Sequence, residues 1–182
     1  MGACGSRSIP RRMHKRITDP REHNRPKEVS DQMSATFEQL LAQPCRILDV
    51  LPCRVPENCG GQYFAVERHW LAPDNRPRLR QRYADLLLAL NCYHEIRVLR
   101  DPDGPAVINP APEDLVRWIT AERGAVYVLV PSEDALITLD GDDAYATCYC
   151  SSEALLSLIR RLASANGLFV WDPDAAGEGD RT

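Results

Sequence analysis

The stretch that decides the fold reads LRQRYADLLLALNCYHEIRVL and covers residues 79–99. Its first part carries large apolar residues at steps of three and four, which places them on one face of an α-helix: Leu79, Tyr83, Leu86, Leu87 and Leu90. Beyond residue 91 the pattern becomes the alternation of a β-strand, with Ile96 and Val98 on the same side of the chain. The stretch therefore predicts a central helix that packs on a sheet through Leu86 and Leu90.

The segments around this stretch predict further elements of the same core. Strands are expected at 46–51, 125–130, 135–139, 144–150 and 168–171, and helices begin at Ser34, Gln62, Pro112 and Ser151 or Ser152. The run at 125–130 is apolar throughout, which is typical of an inner strand covered on both faces. The sequence predicts a single α+β domain at 34–172, a mixed sheet of five or six short strands with packed helices, and disordered tails at 1–33 and 173–182.

Charge and length narrow the class of protein. A chain of 182 residues has the length of one domain. Residues 1–30 hold eight Lys and Arg against three acids, so their net charge is +5 and that of the remainder is −9. The acidic body argues against nucleic-acid binding, because phosphate contacts need clustered Lys and Arg. Seven cysteines without a secretory signal predict reduced thiols in a cytoplasmic protein.

The N-terminal residues allow two interpretations. Met1 to Ser6 fit the N-myristoylation pattern, with Gly2 as the acceptor and Cys4 as a site for palmitoylation. Acylation would make the protein a membrane-anchored adaptor or effector, and we expect membrane binding only in that case. The favoured interpretation is an unstructured leader upstream of a true start at Met33.

Metal and cofactor chemistry has no support in the sequence. Seven and five residues separate the cysteines Cys45, Cys53 and Cys59, which is not the paired spacing of a zinc site. Cys148 and Cys150 are expected to be small core residues that share one face of a strand, opposite Tyr145, Thr147 and Tyr149. The acids at 140, 142 and 143 lack the spacing of a calcium loop, and no nucleotide-binding or hydrolase motif is present. We expect neither a metal nor a cofactor.

Cys59 is the best candidate for a catalytic nucleophile. It lies in the run Asn58-Cys59-Gly60-Gly61, directly before a predicted helix whose N-terminus would favour a thiolate. His69 or His94 would serve as the base, with Glu67 or Asp85 to orient it. The glycines are equally well explained by a turn. The sequence leaves open whether these residues converge.

Three short stretches, RILD at 46–49, QYFAVE at 62–67 and LNCY at 90–93, resemble a family of small uncharacterised bacterial proteins. The resemblance covers residues 34–172, implies that 1–33 is an extension, and carries over no site. We expect a non-catalytic protein-binding or regulatory module with an unknown protein partner, because the polar loops at 52–61 and 100–112 offer a surface and no catalytic set is legible. A cysteine-dependent enzyme using Cys59 and the acylated adaptor are the alternatives.

Overall fold

The structure is a computed structural model that describes residues 37–56, 58–120 and 124–174. The predicted disordered segment 1–33, with Gly2 and Cys4, lies outside the described residues, as does Ser34. The predicted tail at 173–182 is described only at its first two residues. The first described element is helix α1, at 37–41.

Seven strands form one open sheet. They are β1 (Cys45–Asp49), β2 (Arg97–Leu99), β3 (Val107–Ile108), β4 (Val126–Val130), β5 (Ala135–Leu139), β6 (Ala146–Tyr149) and β7 (Phe169–Trp171). Their order is β3-β2-β4-β5-β6-β1-β7, and every neighbouring pair is antiparallel. The α+β class and the single domain are confirmed, and β4 is an inner strand as predicted.

The sheet differs from the expected mixed sheet of five or six strands. The strand β3 has two residues, both exposed, which is too short to show a periodic pattern. The strand β1 lies between β6 and β7, although about a hundred residues separate it from both along the chain. Strand direction depends on such distant pairing, and local sequence carries no signal for it.

Four further helices are α2 (Gln62–Trp70), α3 (Arg76–Asn91), α4 (Pro112–Thr120) and α5 (Glu153–Ala165). Helix α3 contacts both α4 and α5. The predicted contact residues of α3 and of the sheet belong to one buried cluster: Leu86, Leu90, Ile96, Val98 and Val126. Ser152 caps α5, since its Oγ accepts a hydrogen bond from the Leu155 N–H at 3.3 Å. The central role predicted for α3 is therefore confirmed.

The described residues cover the other face of the sheet only in part. Helix α1 packs over the part of this face that β2, β4 and β5 form. There Leu40 belongs to a small buried cluster with Leu99, Leu129 and Leu136. The Phe37 ring lies edge-on to Tyr127, with 5.2 Å between the ring centroids. The part of this face formed by β6, β1 and β7 carries half-buried side chains. We call this surface the open face, and it consists of Ile47, Tyr145, Thr147, Tyr149 and Trp171. Cys148 and Cys150 are buried on the opposite side of β6, as predicted.

Arg80 fixes the turn at the end of the open face. Arg80 lies in the first turns of α3 and is only 3% exposed, so its guanidinium is buried. Its guanidinium Nη2 donates to the carbonyl oxygen of Asp140 and, at 3.2 Å, to that of Asp143. Both acceptors belong to the turn between β5 and β6. One side chain thus ties the central helix to this turn.

Candidate functional site: a cavity at the edge of the open face

A cavity of about 380 Å³ lies where the loop 52–61 and helix α2 meet the strands β1 and β7. Ile47 and Asp49 line it from β1, and Cys53 and Cys59 line it from the loop. Four aromatic residues from three parts of the chain are also in the lining: Tyr63, Phe64, Tyr145 and Trp171. The volume and the mainly apolar lining are typical of ligand sites, which measure roughly 300–1,000 Å³.

Strand register brings the sheet residues of the cavity together. Ile47 stands directly opposite Trp171 in the β1–β7 pair, so both side chains project from the same face. Asp49 follows Ile47 by two residues and shares that face. Tyr145 directly precedes β6 and also lines a second depression of about 400 Å³ on the open face, beside Tyr127. Tyr145 therefore connects the two concave parts of this surface.

Two glycines bring α2 over the cavity. Gly60 and Gly61 have φ values of +68° and +78°, a left-handed conformation that side chains other than glycine rarely adopt. They end the loop and begin α2, which then presents Tyr63 and Phe64 to the cavity with 5.7 Å between their ring centroids. The turn interpretation of these glycines is thus sufficient, and no oxyanion hole is needed to explain them.

Asp49 is a buried carboxylate in the cavity wall. Asp49 is 7% exposed, and its burial raises the pKa of the carboxyl. Hydrogen bonds from the backbone of Leu51 and Val50 oppose this effect and lower the pKa. The negative charge of Glu67 raises this pKa further. Across residues 37–56, 58–120 and 124–174, the ion pairs found do not include Asp49. The cavity wall thus contains a buried carboxylate that accepts hydrogen bonds from two backbone N–H groups.

The two tyrosines of the cavity are held in the neutral form. Burial raises the pKa of Tyr63, and so does its hydrogen bond to Glu67, in which the hydroxyl donates to Oε1 at 2.8 Å. Burial also raises the pKa of Tyr145, with a further contribution from the charge of Asp143. Neutral tyrosines offer ring faces and hydroxyl donors, but they do not act as bases near neutral pH.

Cys59 lines the cavity, three residues before the start of α2, but the predicted bases are elsewhere. His69 lines a different depression, where its ring nitrogens lie 3.4 Å from Nδ2 of Asn75. Neither histidine is among the residues that line the cavity. The proposed acids have partners other than a histidine: Glu67 accepts a hydrogen bond from Tyr63, and Asp85 accepts one from Gln81 at 2.8 Å. The predicted set of nucleophile, base and acid therefore does not assemble.

His94 belongs to a polar cluster that joins three elements. Its Nδ1 lies 3.1 Å from Oγ of Ser132 and 3.9 Å from Oε1 of Glu133, and the other carboxylate oxygen of Glu133 accepts from Ser152 at 2.6 Å. A catalytic triad needs the base to use one ring nitrogen for the nucleophile and the other for the acid. Here both partners lie at the same nitrogen. The cluster instead links the end of α3, the turn at 131–133 and the start of α5.

Neither a metal-binding group nor a membrane-spanning helix occurs among the described residues. The described chain contains no group of three or more His, Cys, Asp and Glu side chains that would hold a metal ion. The six described cysteines are free, and burial raises the pKa of the Cys148 thiol to about 12, which makes it an inert core residue. Within the described ranges, no helix has the length and apolar character needed to cross a bilayer.

Sequence reasoning did not identify Asp49 and Trp171. The sequence places both in ordinary strands. A charged residue between Leu48 and Val50 fits the alternation of a strand with one face in solvent, so the sequence carries no signal for the burial of Asp49. The indole Nε1 of Trp171 is buried and has no hydrogen-bond partner among the described residues. A buried donor without an acceptor in the wall of a cavity is a further polar group that a ligand can satisfy.

Comparison with known proteins leaves the function to be argued from this site. Models of protein families, curated proteins and solved structures were all searched, and none matches the chain. The resemblance to small bacterial proteins therefore stays a prediction.

Proposed function

We propose that the protein is a non-catalytic binding module that recognises a protein partner with the open face and the cavity at its edge. The observation that carries this proposal is the aromatic cavity itself, in which a thiol and a carboxylate are present without a histidine beside them. We place the function in the cytoplasm, and the free cysteines support this because disulfides persist mainly in oxidising compartments.

The composition of this surface supports recognition. Tyrosine and tryptophan are enriched at the centres of protein interfaces, since they bury a large apolar area and still offer a polar group. Tyr145 and Trp171 have this character and are both half-buried. Phe64, at the cavity rim on α2, is 62% exposed. A partner that covers this rim would bury the phenyl ring and exclude water from the tyrosines behind it.

Photo-cross-linking tests the proposal with a matched pair of exposed aromatic residues. Phe64 lines the cavity, whereas Tyr93 is 66% exposed and lies just beyond the end of α3, away from it. We expect benzoylphenylalanine at position 64 to give a discrete cross-linked protein in extracts of cells that make this chain naturally, and position 93 to give none. The same products from both positions, or none from position 64, would contradict the proposal.

A cysteine-dependent enzyme is the second candidate, and the place of Cys59 in the cavity wall is the observation that favours it. The rate of alkylation as a function of pH tests it, with Cys53 in the same loop as the internal control. A nucleophile would react faster below the pKa of about 8.5 that a free cysteine has. The binding proposal expects Cys59 to be alkylated no faster than Cys53.

An acylated adaptor remains a third proposal. It rests on Gly2 and Cys4, which lie outside the described residues. Mass spectrometry of the natural N-terminus tests it directly. Translation that starts at Met33, or an unmodified Gly2, would contradict it.

A further inference from the structure

We propose that the cavity binds an alkylammonium group, with its charge held over the rings of Tyr63, Tyr145 and Trp171 and balanced by the carboxylate of Asp49. The inference rests on the proposed function, because it names the chemistry that the binding module recognises. An alkylammonium group is the charged end of an organic amine or of a lysine side chain.

The arrangement of rings is the first argument. Tyr145 and Trp171 line the cavity from one face of the sheet, and Tyr63 lines it from helix α2. The face of an aromatic ring carries a partial negative charge and attracts an organic cation placed over it. Several such faces around one small cavity are the arrangement by which proteins recognise methylated ammonium groups.

The balance of charge is the second argument. Asp49 is more than nine-tenths buried, and no ion pair of the described residues neutralises it. Glu67 bonds to Tyr63 behind the cavity, and the charge of Asp143 acts on Tyr145. Among the described residues that line the cavity, Arg54 carries the one positive charge, and its side chain is exposed on the loop. A bound cation would relieve the repulsion between Asp49 and Glu67, whereas a bound anion would add to it.

A purely apolar ligand fits this cavity less well. It would pack on the rings but would remove the remaining water from Asp49, and an ionised carboxylate left without water or a counter-ion is costly. An ammonium group supplies the missing counter-charge at the same position. The combination of rings and carboxylate therefore distinguishes a cation from a neutral hydrocarbon of the same shape.

The test uses choline and its neutral isostere 3,3-dimethylbutan-1-ol, in which carbon replaces the charged nitrogen. The indole N–H of Trp171 is a local reporter, since the chain has three tryptophans and the substitution Trp171→Phe identifies its NMR signal. We expect choline to shift this signal saturably and the isostere to bind about tenfold more weakly, because a cation–π contact is strongest in a desolvated site. Equal affinities, or no saturable shift with choline, would overturn the inference.

A pair of variants assigns the counter-ion. Asp49→Asn keeps the shape and a hydrogen-bond acceptor but removes the charge, and Asp103→Asn makes the same change at an exposed turn after β2. We expect Asp49→Asn to lose at least about tenfold in choline affinity and to leave the isostere unchanged, while Asp103→Asn changes neither. Loss of both probes together would contradict the role of Asp49, and if Asp49→Asn does not fold, the two probes on the unmodified chain decide the question.

A second pair of probes identifies the source of the cation. N-acetyl-trimethyllysine amide and its norleucine analogue present the same group as a side chain. Tighter binding of trimethyllysine than of choline supports a partner's side chain, and tighter binding of choline supports a free small organic cation. If the ammonium probes do not bind, the proposed protein-binding function can still hold. Cross-linking of a protein at position 64 tests that function separately, because it does not require that the cavity distinguish charged from neutral groups.

Discussion

Replacing Arg80 by methionine tests the contact that fixes the end of the open face. Methionine keeps an unbranched apolar side chain of similar reach but has no donors. In the native structure the Arg80 guanidinium donates to the carbonyl oxygens of Asp140 and Asp143, and both acceptors lie in the turn between β5 and β6. The substitution therefore removes two hydrogen bonds without opening a large cavity in the core.

The size of the effect follows from the burial of the group. Hydrogen bonds to charged donors contribute about 1.5–3 kcal/mol each, and removal of one partner leaves the other desolvated. Against this, methionine avoids the cost of burying a guanidinium that is only 3% exposed. We expect Arg80→Met to lower the free energy of unfolding by about 2–4 kcal/mol, the sum of two such bonds less the recovered desolvation cost.

Urea unfolding followed by circular dichroism measures this difference, with Arg78→Met as the matched control. Arg78 is exposed on the same helix, so its replacement should change the free energy of unfolding by less than about 0.5 kcal/mol. If the two variants unfold at the same urea concentration with equal slopes, Arg80 does not hold the turn and the reasoning is refuted.

The remaining predictions concern the core, the buried acid and the thiols. Leu86→Ala should lower the free energy of unfolding by about 2–5 kcal/mol because Leu86 is 1% exposed, and a near-neutral result in denaturant melts would place this side chain outside the core. Asp49→Asn should stabilise the protein more at pH 7 than at pH 3. The pKa of Asp49 is raised above its ordinary value of 3.8, so ionisation of this carboxyl in the native protein lowers the free energy of unfolding as the pH rises through the raised pKa. A stabilisation by Asp49→Asn that does not depend on pH in thermal melts would contradict this. Iodoacetamide should modify the exposed Cys53 in the native protein and spare Cys148, and mass spectrometry that finds both equally labelled would show that β6 is not buried.

Local sequence was sufficient for the helices and for most strands. The three- and four-residue spacing at 79–90, the Ser152 cap and the apolar run at 126–130 each have one physical explanation, and each element was found where expected. Their signals are local, because side-chain periodicity and capping act within one or two turns. The alternation at 145–150 likewise predicted which face of β6 is buried.

The site could not be predicted in the same way, because its parts come from distant segments. Asp49, Tyr145 and Trp171 meet only after β1 has inserted between β6 and β7, and no local pattern encodes that pairing. Similarly, Arg80 donates to two backbone carbonyl groups about sixty residues away. Every residue has a backbone carbonyl, so the sequence does not indicate which ones accept these hydrogen bonds. Reasoning from residue type alone favoured cysteine and histidine, whereas the geometry favours the aromatic residues and one acid.

The central claim is that the open face binds a protein partner through the cavity and its tyrosines. Tyr145 tests it most directly because this residue lines both concave parts of the face. Once cross-linking at position 64 has identified the partner, calorimetry can measure its Kd for the unmodified chain, Tyr145→Ala and Tyr93→Ala. The account predicts that Tyr145→Ala raises the Kd at least about thirtyfold, as expected for a central aromatic residue, and that Tyr93→Ala leaves it unchanged. An unchanged Kd for a folded Tyr145→Ala variant would contradict the account.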